Sequence, residues 1–96
     1  MTTIQKTVRL SANLRQLAEA KEVIVSVQHG ATVDDLLRAL RQAYPALGAR
    51  VLEADGSLKT GIQLLVDGRH IDFLQGLQSP VDLARDLFLI PPISGG

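Results

Sequence analysis

Between Ile4 and Leu10 the chain alternates, with Ile4, Val8 and Leu10 on one face and Gln5, Thr7 and Arg9 on the other. Lys6 interrupts the apolar side. A period of two predicts a half-buried strand. Ser11-Ala12-Asn13 breaks it, and Leu14, Leu17 and Ala18 are spaced for a single helical turn in the connection. Over Glu22–Gln28, Val23, Val25 and Val27 alternate with Ile24 and Ser26, a second strand that suits a hairpin with the first. The period then changes. Val33, Leu36, Leu37 and Leu40 make one stripe at helical spacing, and Arg38, Arg41 and Gln42 lie off it. Thr32 with Asp35 three positions later is a capping-box variant, and Asp34 and Asp35 suit the positive end of a helix. Pro45 disfavours helical geometry at Tyr44, so the helix should stop near Ala43.

The second half is less regular. Ala46–Leu52 has no decisive period, and only Leu47, Val51 and Leu52 stand out as core anchors. The stretch 53–61, Glu-Ala-Asp-Gly-Ser-Leu-Lys-Thr-Gly, reads as a mobile loop. Ile62–Val66 reads as a strand, Asp67-Gly68 as a tight turn and Arg69–Ile71 as a short return strand. Residues 72–80 read as irregular, with a turn at Gly76. Leu87–Ile90 is the last strand. Two strands, a helix and three further strands predict an α+β domain: a mixed sheet of about five strands, with one main helix on one face. The last strand can then lie parallel to the first, in the sheet centre.

Ninety-six residues make one domain. Its core must be aliphatic, since there are two Phe, one Tyr and no Trp. Ten basic residues balance ten acidic ones, which argues against a nucleic-acid partner and against a polybasic membrane anchor. No apolar run approaches the length of a transmembrane helix, and the first residues lack an apolar signal region, so a cytoplasmic protein is expected. The absence of cysteine removes disulfides, thiolate catalysis and cysteine zinc sites. His29 and His70 lie in separate turns, too few and too far apart for a metal centre. No Ser/His/Asp arrangement or phosphate loop is indicated. Arg38 and Arg41 read as a solvated helix face and Lys59 as an ordinary loop lysine.

The chain closes with Pro91-Pro92-Ile93-Ser94-Gly95-Gly96. Two prolines fix φ near about −65° and favour polyproline II. Six extended residues reach at most about 20 Å, and the glycines let another protein enclose their backbone closely. Such a tail suits a carboxylate delivered into a partner's narrow active site. The plain alternative is a frayed end. The domain is therefore read as residues 1–90 and the tail as residues 91–96.

The element order, Leu65-Val66-Asp67-Gly68-Arg69, and the ending from Ile90 to Gly96 together resemble the ubiquitin-like β-grasp sulfur carriers. That group includes the small subunit of molybdopterin synthase and the thiamine and cysteine sulfur-carrier proteins. Where the family commonly has Asp-Gly-Asp before its last strand, this chain has Ala84-Arg85-Asp86, so that turn is expected to take a different shape.

The resemblance implies a cycle. An adenylating enzyme uses ATP to activate the Gly96 carboxylate, a sulfur donor displaces AMP, and Gly96 is left as a thiocarboxylate. Gly96 is the reacting residue. Gly95, Ser94, Ile93, Pro92 and Pro91 contact partners, and no cofactor is bound. Partners are the activating enzyme and a large synthase subunit or another sulfur-acceptor enzyme. Molybdopterin synthase is the leading role. A carrier for cysteine, thiamine or tRNA thiolation, a lysine-linked protein modifier and a plain binding module are the alternatives. Docking is expected on the sheet face away from the helix, through Leu65 and Phe88, or Leu87 if the register shifts by one.

Overall fold

A computed structural model of the chain describes residues 2–92. The expected architecture is present. Strands β1 (Thr3–Leu10), β2 (Glu22–Gln28), β3 (Gln63–Val66), β4 (Arg69–His70) and β5 (Leu87–Ile90) form one sheet in the order β2-β1-β5-β3-β4. β1 and β2 are the predicted antiparallel hairpin, registered from Thr3 opposite Gln28 to Arg9 opposite Glu22. β5 is the centre. It runs parallel to β1, with Arg9 beside Phe88 and Leu10 beside Leu89, and antiparallel to β3, from Gln63 opposite Ile90 to Val66 opposite Leu87.

Among the described residues three α-helices accompany the sheet: α1 (Asn13–Ala18), α2 (Val33–Ala43) and α3 (Pro45–Val51). α2 is the main one. Thr32 and Asp35 close the predicted capping box, the Thr32 N–H donating to Asp35 Oδ2 at 2.9 Å. Its apolar stripe is fully buried, joining Val8, Leu10, Val25, Leu64 and Leu89 in one aliphatic core. α3 occupies the segment whose pattern was undecided. Pro45 opens it at the first helical position, where its missing N–H costs nothing. Leu47, Val51 and Leu52 are the anchors the sequence singled out, all buried.

Two expectations change. The stretch 53–61 is a loop but a tied one. Glu53 N–H donates to Ser57 O at 2.8 Å and Lys59 N–H to Val51 O at 2.9 Å, and Leu52 bridges Leu58. Ile71 leaves the short strand for a 3-10 turn (Ile71–Phe73), and a second such turn (Gly76–Gln78) follows within the segment read as irregular.

Lys6 is half-buried on the core side of β1, with its ammonium hydrogen-bonded to backbone carbonyls. Lys6 Nζ donates to the carbonyls of Ala84 at 2.7 Å and Asp82 at 3.1 Å. The stem covers apolar surface while the head caps the backbone just before β5.

Candidate functional site

The site is the end of β5 and the sheet face it shares with β1 and β3. Alternation along β5 sends Leu87 and Leu89 into the core and leaves Phe88 and Ile90 half-buried on the opposite face. Leu65 stands half-buried directly across from Phe88 on β3. The structure therefore brings the two expected docking residues together on one face. It rules out the shifted register, because Leu87 is 1% exposed and belongs to the core.

Arg9 completes this face. Its guanidinium lies 4.2 Å from the centre of the Phe88 ring, a cation–π arrangement. It also forks onto Asp86, with Nε to Oδ1 at 2.7 Å and Nη2 to Oδ2 at 2.9 Å. The hydrogen bonds from Arg9 hold the Asp86 carboxyl below the usual carboxylate range, and Asp86 in turn raises the Arg9 guanidinium. On the other side of Leu65 lies His70, its register partner. The His70 ring meets Phe73 edge-on at 6.3 Å, and Phe73 is 85% exposed. An apolar strip thus runs across the sheet, with a cation over one aromatic ring. Its outward members on β1 were legible in the alternation. The meeting of Arg9 with Phe88 was not, because alternation gives a face and leaves open the register of β1 against β5.

The approach to β5 is built by Asp67. This residue sits at φ 52°, in the left-handed region that Asp tolerates better than most side chains. Its Oδ1 accepts the N–H of Arg85 at 2.8 Å and of Asp86 at 2.9 Å, and its own N–H donates to Asp86 O at 2.8 Å. Arg85 has no positive φ, so the turn needs no glycine at that position. The departure from the family's pattern is accommodated because the β3–β4 turn cradles the turn before β5.

Past Ile90, Pro91 is buried and Pro92 is exposed. Both border a groove of mixed character with Asn13, Arg50, Lys59, Thr60 and Ile62. Ile93, Ser94, Gly95 and Gly96, which carry the expected chemistry, lie outside the described residues. Among the described residues no three His, Asp or Glu side chains are grouped as metal ligands, and no helix is long and apolar enough to cross a membrane.

The model of the ThiS family matches residues 8–96. The chain belongs to the ThiS family. This ThiS-family chain is 39% identical over 88 residues to small archaeal modifier protein 1 of Haloferax volcanii, covering 92% of the chain and 97% of that protein. A crystal structure of that relative superposes with a TM-score of 0.81 at 37% identity, over 96% of this chain and 99% of the other. A protein of Archaeoglobus fulgidus provisionally named a sulfur carrier is 29% identical over 65 residues, covering 68% of this chain and 74% of that one. In the BexX/CysO complex of Amycolatopsis orientalis, one chain matches at 26% identity with a TM-score of 0.74, over 94% of this chain and 98% of its own. The fold is the ubiquitin-like β-grasp, and the function class is that of the ubiquitin-like sulfur carriers and modifiers.

Proposed function

We propose that this protein carries sulfur as a thiocarboxylate on Gly96. The observation that carries the reading is the route of the C-terminus. The central strand β5 runs into Pro91-Pro92 and then Gly95-Gly96 in a member of the ThiS family. A strand paired on both sides is a rigid platform, and two prolines lower the ordering cost of threading the tail into an enzyme. The carboxylate is a poor electrophile. Attack of its oxygen on the α-phosphorus of ATP releases pyrophosphate and gives an acyl-adenylate. A sulfur donor then displaces AMP. On transfer, the sulfur passes to an acceptor and water restores the carboxylate. Every acid, base and metal of this cycle belongs to the partners.

The specific acceptor we propose is the large subunit of molybdopterin synthase, on the strength of the ending Ile90-Pro91-Pro92-Ile93-Ser94-Gly95-Gly96. A second reading has its own support in the 39% identity to small archaeal modifier protein 1. There a lysine amine of a target protein would attack the same acyl-adenylate, expel AMP and form an isopeptide bond. In both, Leu65, Phe88 and Arg9 form the docking face for the activating enzyme, and Leu65→Ala or Phe88→Ala is expected to weaken that binding by about 1 kcal/mol or more.

The test is the intact mass of the protein purified from its own cells with the C-terminus untagged. A fraction with one oxygen replaced by sulfur at Gly96 establishes the carrier. Lysine-linked adducts ending in Gly-Gly establish the modifier. Free acid that persists after incubation with ATP, sulfide and an activating enzyme overturns both.

A further inference from the structure

The antiparallel ladder between β3 and β5 ends at Gln63 opposite Ile90. Carried on by two residues, the same register places Ile62 opposite Pro91 and Gly61 opposite Pro92. Neither proline has an N–H to donate, so the tail supplies no donor to the ladder over the two residues beyond Ile90. A contact holds the tail there. A Cβ added to Gly61 would lie 2.7 Å from Pro92 Cβ and 3.3 Å from its Cγ. The proline ring therefore rests on a backbone that only glycine leaves bare. Gly61 is also at φ +88°, a turn that side chains strain to adopt. The seat is itself anchored: Ile62 N–H donates to Lys59 O at 3.0 Å, and Lys59 N–H to Val51 O at the end of α3.

We propose that Gly61 is the positioning residue of the C-terminal tail. By seating Pro92 it fixes the point and direction from which residues 93–96 leave the domain, at a place where the two prolines donate no hydrogen bond. The inference rests on the carrier reading for its consequence, since a tail with nothing to deliver needs no aim. Filling the seat pushes Pro92 outward and misdirects the carboxylate while the docking face stays intact. The loss then falls on turnover rather than on binding.

Gly56 supplies the control. It lies in the same loop at φ +94°, and a Cβ there would meet nothing within 4 Å. Gly56→Ala strains the backbone as Gly61→Ala does, without touching the tail. The experiment uses the full-length protein. Nuclear Overhauser contacts between Gly61 Hα and the Pro92 ring are recorded in the wild type. Adenylation is followed as pyrophosphate exchange with the host's activating enzyme for the wild type, Gly56→Ala, Gly61→Ala, Pro92→Gly and the double variant that combines Gly61→Ala with Pro92→Gly.

The wild type is expected to show the contact. Gly61→Ala is expected to lose it and to lower kcat about tenfold or more with KM little changed, because a small misplacement of a reacting group is costly. Gly56→Ala should match the wild type in kcat. The double variant should be no worse than Pro92→Gly alone, since the methyl added at position 61 then meets no ring. Absence of the contact in the folded wild type overturns the proposal, as does an equal loss of kcat in Gly56→Ala. If the wild type is not adenylated at all, the carrier reading falls, and the contact with its loss in Gly61→Ala still decides the seat. If Gly61→Ala does not fold, the wild-type contact decides the seat, and the kcat of Gly61→Ser, read against Gly56→Ser, decides its effect. Loss of kcat on unseating supports the proposal, and an unchanged kcat refutes it.

Discussion

Replacing Asp67 by Ala tests how the path into β5 is built. The change removes one carboxylate oxygen that accepts two backbone N–H groups, Arg85 at 2.8 Å and Asp86 at 2.9 Å. Each such bond contributes about 0.5–1.5 kcal/mol net, and the turn is exposed, so water replaces part of the loss. Alanine at φ 52° adds roughly 1 kcal/mol of left-handed strain. The sum is about 2 kcal/mol of stability. For a domain of this size that lowers Tm by about 8–16 °C. Asp67→Asn keeps an acceptor oxygen and tolerates the same φ, so it should lose less than about 1 kcal/mol. Urea denaturation of the three proteins at one pH, read as a shift of midpoint at constant slope, measures both. A loss below about 0.5 kcal/mol in Asp67→Ala refutes the reasoning, as does an Asn variant as unstable as the Ala variant, because the two N–H groups would then be indifferent to the oxygen.

Lys6→Met keeps the stem and deletes the ammonium that caps the carbonyls of Asp82 and Ala84. It is expected to cost about 1–3 kcal/mol in the same urea assay, and an unchanged midpoint would mean that water serves those carbonyls equally well. Asp86 is held below the ordinary carboxylate range by Arg9. Its stabilising contribution is therefore fully present above about pH 4, the ordinary carboxylate value, and is lost as pH falls through its lower folded value. Tm measured from pH 6 down to pH 2 should show the wild type above Asp86→Asn at the high end and the two curves meeting at the low end. Parallel curves would sink the assignment. Asp55, held down by Ser57, titrates in the same window, which is why the comparison is made against Asp86→Asn and not within the wild-type curve alone.

Local pattern determined much of this protein. Alternation in β1 and β2 reports which side chains one strand sends each way, and the stripe with its Thr32–Asp35 cap defines α2 almost to the residue. Those signals are legible because each depends only on the chain's own period and on neighbours within one turn. Leu65 and Phe88 were legible as outward candidates for the same reason, with Leu87 left open, whereas their standing opposite each other was seen only in the structure. α3 was not legible, since Ala46, Gly48 and Ala49 give a helix of seven residues no apolar contrast, and packing of Leu47 and Val51 decides its state. The central, parallel place of β5 was also expected from the element order, but its register and partners were decided by tertiary structure. Insertion of β5 between β1 and β3 brings together residues 77 or 78 positions apart, so Arg9 finds Asp86 and Lys6 finds Ala84. Gly61 reads in the sequence as an ordinary loop glycine. It becomes the floor under Pro92 only because β3 and β5 run side by side up to Gln63 and Ile90, which brings the two residues beyond each strand together. Periodicity encodes which way a residue faces, whereas what it faces is fixed by strand order.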